Sequence, residues 1–423
     1  MLKYIEDAQI PKGCGPLLAG DHVSGATLPT LPLRQQVFEH VRASGQAARA
    51  DITRALHISA GSATTLVADL IASGLLREVA ADPLAPARDV GRGRPRVALE
   101  VVGEAAFVIG IKLEFKRHSA VLCDFAGQVV GAVSVPASER RRSTDHLLDE
   151  VMSLIDKVVA DSGRTAQEIR AVGLGLPGIV DADSGLVRWS SLLHDGNVDL
   201  VAAFASRFHA PLFTDNDTNM LTLAELWFGG GRQKADFAVV TIENGVGMGL
   251  VVNNQLYRGT HGMGLELGHT KVHLDGALCR CGQRGCLEAY LGDYAISREA
   301  ATALDVEETG PRGQDAVLHH LHDAAKTGHA GAQAVFQRAG RYLAVGLSNI
   351  IQLFDPPLII LSGKLTQSDY YSDEVLAEME KLTLSDGRRR CVVELRHWDD
   401  LEWARGAAVP ALTALTAQMA GAA

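Results

Sequence analysis

The chain has 423 residues, of which 47% are hydrophobic, and a formal net charge of −10. This length allows two or three domains, and the acidic balance argues against indiscriminate binding of the whole molecule to nucleic acid or membranes. No apolar run reaches transmembrane length and the start has no secretory signal, so we expect a cytoplasmic protein without membrane insertion.

The N-terminal region changes character near residue 31. Residues 1–30 contain Gly, Pro and Ser at intervals without a sustained period, which predicts a flexible tail. Three short helices are then predicted in succession, each with an apolar inner face. The inner residues are Val37, Phe38 and Val41 in the first helix, Ile52, Ala55 and Leu56 in the second, and Leu66, Val67, Leu70 and Ile71 in the third.

A strand-like segment, Leu75 to Val79, follows the third helix. This order predicts a winged helix-turn-helix DNA-binding domain with an arginine-rich linker over residues 31–102. The third helix would enter the major groove, where short polar side chains approach phosphates and base edges closely. An alternative is a small helical bundle for dimerisation or protein binding. The outward residues that we expect to contact DNA are Ser59, Ser62, Thr64 and Thr65.

Basic residues are concentrated in this same region. Between Arg34 and Arg96 there are nine arginines against six acidic residues. Glycine and proline hold Arg92, Arg94 and Arg96 on an extended strip, which fits a narrow minor groove. Such a linker, taken alone, is more often only solvated, but beside a helix-turn-helix it favours contact with DNA.

Beyond Ala106 the pattern becomes that of an α/β protein. A strand hairpin and a third strand are predicted over residues 107–135, followed by a helix from about Thr144 to Ser162 and a buried strand from Ile169. A helix through Phe228, a glycine-rich hairpin at 239–249, a strand near residue 358 and a last helix from Glu402 complete the pattern.

Three cysteines lie within eight residues at Cys279, Cys281 and Cys286, and His269 precedes them by ten positions. Nearby glycines let the chain turn tightly, so the thiolates can converge on one ion. A Cys3His set suits a closed, tetrahedral and structural zinc site. The alternatives are free thiols or a disulfide, and His273 competes as the fourth ligand.

The segments GLELGH and CRCGQRGCLE resemble the signature of the ROK family, which groups sugar kinases with sugar-responsive repressors. The resemblance covers about residue 32 to the end. It implies an α/β protein in which the winged helix-turn-helix precedes a two-lobed actin-like ATPase domain with a zinc-binding loop. By this resemblance, lobe 1 spans residues 103–217 with the C-terminal helix 402–423, and lobe 2 spans residues 218–401.

The resemblance also implies site residues. The zinc ligands become His269, Cys279, Cys281 and Cys286, which decides against His273. Carboxylate, amide and imidazole groups are suitable partners for sugar hydroxyls. The implied sugar-contacting residues are Asn216, Asp217, Glu266, His269 and Glu288. Asn216 and Asp217 also have a simpler interpretation, as an Asx turn that caps the next helix.

The sequence departs from the ROK kinase pattern at its phosphate-binding turns. Kinases of the family place an Asp and a Gly-Gly-Thr turn where this chain has Lys112, Glu114, Phe115 and Lys116. Glu243 and Asn244 replace Gly-Thr in the second turn, and Ser191 stands where the family has an Asn near the sugar. An acidic or bulky residue excludes phosphate from such a turn, so we expect no ATP binding and no enzyme activity.

The resemblance and the basic module together predict a transcriptional regulator. We expect a repressor of carbohydrate metabolism or transport genes, with its DNA affinity controlled by a sugar or sugar derivative. Its predicted partners are operator DNA, the effector and further copies of the chain in a homodimer or tetramer. One alternative is an ATP-dependent ROK sugar kinase, and another is a zinc-stabilised scaffold that a membrane transporter sequesters.

Overall fold

The structure is a computed structural model, and the chain divides into two compact units. The first unit comprises Ala8–Ala235 and Asp400–Ala423, and the second comprises Met1–Asp7 and Asp236–Asp399. The residues that the structure describes are 3–4, 13–17, 31–80, 97–138, 141–306, 310–363, 373–384, 387 and 389–421.

The first unit begins with the predicted winged helix-turn-helix. Its elements are α1 (Leu33–Ser44), α2 (Arg49–Leu56), α3 (Ala60–Ala72), β2 (Leu76–Ala80) and β3 (Val97–Val101). The short strand β1 (Lys3–Tyr4), which comes earlier in the chain, belongs to the second unit. The strands β2 and β3 are antiparallel and form the wing. Helix α1 ends at Gly45, whose φ of +73° favours glycine.

The predicted inner faces of these helices are mostly confirmed. Six residues are buried as expected: Val37, Phe38, Val41, Ile52, Val67 and Leu70. In the eight-residue α2, Ile52 is the only buried residue, and Ala55 is exposed. The prediction for Ala55 was therefore wrong. Leu56, Leu66 and Ile71 are half-buried.

The predicted flexible tail contains an ordered segment at residues 13–17. The Cys14 amide donates to the Arg42 carbonyl at 3.0 Å, and the Gly15 amide donates to the Trp227 carbonyl at 2.9 Å. Cys14 itself is fully buried. These backbone hydrogen bonds correct the prediction for residues 13–17. Apart from Lys3–Tyr4, the rest of residues 1–30 lies outside the described residues.

Lobe 1 follows in the first unit as a mixed sheet with order β11-β7-β4-β5-β6. Strand β4 is antiparallel to β5 and parallel to β7. The elements of this region are β4 (Phe107–Lys112), β5 (Arg117–Asp124), β6 (Val129–Pro136), α4 (Thr144–Asp161), β7 (Ile169–Leu176), β8 (Gly178–Asp181), β9 (Leu186–Ser190), β10 (Val198–Asp199), α5 (Leu200–Ala205), β11 (Leu212–Asn216) and α6 (Asp217–Phe228).

The second unit contains another sheet, with order β1-β16-β15-β12-β13-β14, and a group of helices. Leu343, Leu347 and Ile351 of its longest helix pack in the same core as Ile359 and Leu361 of the sheet. Its elements are β12 (Phe237–Ile242), β13 (Val246–Val252), β14 (Gln255–Tyr257), α7 (Glu288–Leu291), α8 (Asp293–Leu304), α9 (Gly310–Lys326), α10 (Ala330–Phe354), β15 (Leu358–Ser362), α11 (Asp373–Leu382) and β16 (Val392–Leu395).

The last helix, α12 (Asp400–Ala420), belongs to the first unit. It packs so closely on β4 and β7 that a Cβ at Gly110 or Gly173 would overlap the carbonyls of Ala404 and Ala407. Helix α6 packs on α12 as well. Residues 218–235 accordingly group with lobe 1 in the first compact unit, and the division between the two units falls after Ala235. The lobe boundary between residues 217 and 218 stays a prediction.

In the described part of the chain, no single helix has both the length and the apolarity to cross a membrane. Helices α2 and α3 meet these criteria only as a pair, and they are bent by 118° relative to each other.

Candidate metal centre and sugar-contacting residues

The loop between β14 and α7 folds by tight local pairing. Short antiparallel bridges join Lys271 to Cys286 and Leu278 to Arg284. The Cys279 amide donates to the Gln283 carbonyl at 2.8 Å. Gly282 and Gly285 have φ values of +85° and +74°, which only glycine adopts without strain. This hairpin brings the three sulfur atoms to one side of the loop.

The predicted ligand set is assembled there. The ligand atoms of His269, Cys279, Cys281 and Cys286 all lie within 4.8 Å of one another, and His273 is not part of this group. The Cys279 Sγ is 3.7 Å from the His269 Nδ1, and the Cys281 Sγ is 3.7 Å from the Cys286 Sγ. Three sulfurs and one imidazole nitrogen are the donors of closed tetrahedral sites, so this cluster can hold a metal ion.

The cluster has one desolvated thiol and one ammonium group beside it. Burial raises the pKa of the Cys279 thiol to about 12. The Lys271 Nζ donates to the Cys286 Sγ at 2.9 Å, and this bond raises the lysine pKa. A metal with charge +2 and three thiolates would carry −1 in total, which the ammonium group offsets.

Two predicted sugar-contacting carboxylates lie beside the cluster. Glu288 Oε2 accepts from the Val246 amide at 3.3 Å, and its Oε1 accepts from the Cys279 thiol at 3.6 Å. Loss of water around the Glu266 carboxylate raises its pKa, His269 lowers it, and Glu288 raises it. The structure therefore brings Glu266, His269 and Glu288 together in the second unit.

Asn216 and Asp217 lie in the first unit, where β11 passes into α6. The Asn216 Oδ1 accepts from the Thr218 amide at 2.8 Å, and its Nδ2 donates to the Gly178 carbonyl at 2.8 Å. The Asp217 Oδ1 also accepts from the Thr218 amide at 2.8 Å. Asn216 is thus the N-cap of α6, as the simpler interpretation of this pair predicted. Contact with a sugar stays a prediction.

The four predicted DNA-contacting residues of α3 are all exposed. Ser59 is the N-cap of α3 and accepts from the Ser62 amide at 3.0 Å. The hydroxyls of Thr64 and Thr65 donate to the backbone carbonyls of Ala60 and Gly61, one turn earlier. Their contact with DNA stays a prediction. Arg92, Arg94 and Arg96 lie outside the described residues.

Lys112, at the turn between β4 and β5, forms an ion pair with Asp400 that the sequence did not predict. Buried Lys112 donates from its Nζ to Asp400 Oδ1 at 2.8 Å and lies 3.3 Å from Glu114 Oε2. Its ammonium group also lies 4.2 Å from the centre of the Trp403 ring. Asp400 is 288 residues away from Lys112 in sequence. The sequence feature that could have suggested this ion pair is the acidic first turn of the last helix, with Asp400 and Glu402.

The turn between β12 and β13 is also occupied by the chain's own side chains. The Asn244 Oδ1 accepts from the Arg280 Nη1 at 2.9 Å. The Arg280 guanidinium lies 3.8 Å from the Tyr294 ring centre, and the Tyr294 hydroxyl donates to the Cys279 Sγ at 3.6 Å. The β12–β13 turn, the second phosphate-type turn of the sequence analysis, is therefore tied to the loop between β14 and α7, which we call the metal loop.

A family model described as "ROK family" matches residues 109–414. The chain belongs to the ROK family. Its winged helix-turn-helix lies before the matched residues, and the metal cluster lies within them.

Similar proteins include regulators and kinases. The N-acetylglucosamine repressor of Escherichia coli O6:H1 is 29% identical over 341 residues, which are 79% of this chain and 80% of that protein. A ROK family transcriptional regulator, a homologue of the E. coli MLC protein, superposes with a TM-score of 0.74 at 23% identity over 92% of this chain and 98% of its own. A ROK glucokinase from Streptomyces griseus, solved with glucose and AMPPNP, superposes with a TM-score of 0.61 at 24% identity over 72% of this chain and 99% of its own.

Proposed function

We propose that this protein is a sugar-responsive transcriptional regulator that represses genes of carbohydrate metabolism or transport. The observation that carries the proposal is the winged helix-turn-helix of α1 to α3 with its wing, placed before a ROK domain. The similar ROK regulator extends over 92% of this chain, whereas the glucokinase extends over 72% with nearly all of its own length.

The DNA-reading surface in this proposal is the exposed face of α3. Ser59, Ser62, Thr64 and Thr65 are exposed there, and Arg92, Arg94 and Arg96 would follow the minor groove. Two half-sites about 34–36 Å apart, or a multiple of that distance, require a dimer or a tetramer. Fluorescence anisotropy with the DNA upstream of its own gene tests this proposal. Salt-dependent affinity supports it, and its absence contradicts it.

The effector in this proposal is a sugar or an amino-sugar derivative. It would be bound by Asn216, Asp217, Glu266, His269 and Glu288, and the N-acetylglucosamine repressor among the relatives supports including N-acetylated sugars in the test. A ligand that binds only the native state adds roughly 2.7 kcal/mol at 100 times its Kd. A thermal-shift screen with a sugar panel would detect that effect.

Zinc is the proposed metal, with a structural role. His269, Cys279, Cys281 and Cys286 would hold the ion, and the four protein donors leave no open position for an activated water. When bound, zinc supplies a fixed orientation of the His269 ring and a brace for the loop. The chain's own residues then present Glu266 and Glu288 to the sugar.

An ATP-dependent sugar kinase is the second function considered, because a ROK glucokinase shares the fold. The ion pair of Lys112 with Asp400 and the position of Glu114 argue against it, since an acid in the phosphate turn repels ATP. We therefore propose that the chain is not an enzyme. A coupled assay with ATP and hexoses tests this, and turnover that disappears in Asp217→Asn would contradict it.

A further inference from the structure

A group of buried arginines joins the DNA-binding module to lobe 1. Arg42 of α1 has a side chain that is fully buried, and its Nη1 donates to the Thr416 hydroxyl of α12 at 2.8 Å. Its guanidinium lies 4.4 Å from the centre of the Trp227 ring at the end of α6, and it pairs with Glu39. One residue of α1 therefore contacts both α6 and α12.

Arg232 of lobe 1 also contacts α1, at the C-terminal end of that helix. It follows α6 in a short 3-10 turn and is fully buried. Its Nη2 donates to the Ala43 carbonyl at 2.6 Å, and its Nε donates to the Gly15 carbonyl at 2.9 Å. Carbonyls in the last turn of a helix lack partners within the helix and carry partial negative charge. Arg232 therefore caps the C-terminal end of α1 with a positive charge.

Residues 13–17, which we call the N-terminal clip, fill the space between the same elements. The Leu17 amide donates to the Arg232 carbonyl at 3.0 Å, in addition to the bonds of Cys14 and Gly15 described above. A Cβ at Gly13 would overlap the Ala43 carbonyl, and a Cβ at Gly127 would overlap the Cys14 Sγ. The fit leaves no room for an added methyl group at either glycine.

Helix α6 connects this seam to the proposed sugar-contacting residues. It begins at Asp217, directly after Asn216, and its last turn contains Trp227. Twelve residues span roughly 18 Å along a helix axis. All of its residues except Asp217 and Asn219 are buried, and Gly406 of α12 approaches the Met220 carbonyl without room for a Cβ. So tightly packed a helix moves as a unit when either end moves.

We propose that α6, Arg232 and the N-terminal clip transmit sugar binding to the winged helix-turn-helix. A sugar held by Asn216 and Asp217 would shift α6, and Arg232 and the clip would carry that shift to the C-terminal end of α1. Arg232 is then a positioning residue that touches neither sugar nor DNA. This inference rests on the proposed function, because it requires that the same chain bind both ligands.

The first test compares Arg232→Met with Arg142→Met as a control. Arg142 is also buried in lobe 1, but its partners are His118, Glu150 and the Ser138 carbonyl. Sugar affinity would be measured by calorimetry, and DNA affinity by anisotropy with and without sugar. In the wild type we expect sugar to change DNA affinity by about 5- to 150-fold, and in Arg232→Met by less than about twofold with unchanged sugar affinity.

Arg142→Met should keep the wild-type ratio of DNA affinities despite its own loss of stability. A full sugar response in Arg232→Met overturns the inference and leaves the proposed function intact. Absence of sugar binding or of DNA binding in the wild type contradicts the proposed function and the inference with it.

A second pair of variants applies if Arg232→Met fails to fold. Gly127→Ala places a methyl group against Cys14 and should weaken the sugar response, whereas Gly127→Ala combined with Cys14→Ala removes the overlapping sulfur and should restore part of it. The strain of alanine at the positive φ of Gly127 is common to both variants and cancels. A wild-type response in the single variant, or no restoration in the double variant, overturns the inference.

Discussion

Two loops of the ROK domain, the β4–β5 turn and the metal loop before α7, differ in whether their polar side chains can bind a ligand. The metal loop brings a complete Cys3His donor set within 4.8 Å. In the β4–β5 turn, by contrast, the charged side chains neutralise one another, because Lys112 is paired with Asp400 and lies beside Glu114. In the proposed regulator, the loop with the Cys3His cluster would orient the sugar-contacting side chains, and the β4–β5 turn would bind no ATP. Ligand recognition would then be separate from phosphoryl transfer.

The largest expected effect comes from breaking the metal loop. Cys286→Ser should remove the bound zinc and lower the free energy of unfolding of the second unit by at least about 4 kcal/mol, as expected when a structural metal is lost. Zinc content by mass spectrometry and calorimetric unfolding measure this. His273→Ala is the matched control, because His273 is a neighbouring histidine outside the cluster. Loss of zinc in His273→Ala with retention in His269→Ala would contradict the ligand assignment.

The ion pair that occupies the β4–β5 turn should give the second largest effect. Asp400→Asn leaves the buried Lys112 ammonium with a weaker set of partners, and we expect a loss of about 1–3 kcal/mol in urea unfolding. Glu378→Gln is the control, because it breaks the exposed pair with Lys381 and should cost less than about 0.5 kcal/mol. Equal losses in the two variants would show that Lys112 gains no stability from Asp400.

The first helix and the grouping of the cysteine loop could be predicted because the residues that determine them are close together in the sequence. The four residues of the Cys3His cluster lie within 18 positions, and glycines with positive φ values form the turns between them. Their role as zinc ligands stays a prediction. The first helix was predicted correctly for the same reason, since Val37, Phe38 and Val41 repeat at helical spacing.

Long-range contacts were not predictable in this way. Asp400 reaches Lys112 across 288 positions, and Arg232 reaches Gly15 across 217 positions. No periodicity reports such a pairing, so the ordered segment 13–17 was interpreted as part of a flexible tail. The packing of α6 on α12, which places residues 218–235 in the first unit, is likewise a tertiary contact that no local pattern reports.

The stability of the β4–β5 turn should depend on pH through His118. The His118 Nδ1 accepts from the Glu114 amide at 3.2 Å, and burial, with help from Arg142, holds the His118 pKa below its usual value of 6.5 although Glu150 and Glu114 oppose this. The folded state therefore binds this proton less readily than the unfolded state. The neutral His118 ring therefore contributes to the free energy of unfolding above pH 6.5. This contribution is lost as the pH falls below 6.5, by at most about 1.4 kcal/mol per pH unit.

His118→Gln keeps an acceptor for the Glu114 amide without a titrating ring, so its stability should fall less steeply between pH 6.5 and 5. Urea unfolding at a series of pH values measures the slope. His146→Gln, at an exposed position near the same Glu150, is the control and should keep the wild-type slope. An unchanged slope in His118→Gln would contradict the neutral state of this ring in the folded protein.

The smallest expected effect concerns the tie between the metal loop and the second phosphate-type turn. Arg280→Met removes the hydrogen bond to Asn244 and the contact with the Tyr294 ring, and because Arg280 is exposed we expect a loss of only about 0.5–1.5 kcal/mol. Zinc content should not change, since the four ligands remain. Asn244→Ala combined with Arg280→Met should cost little more than the single change, because both remove the same bond. Additive losses would show that the Asn244 side chain stabilises the β12–β13 turn independently of the metal loop.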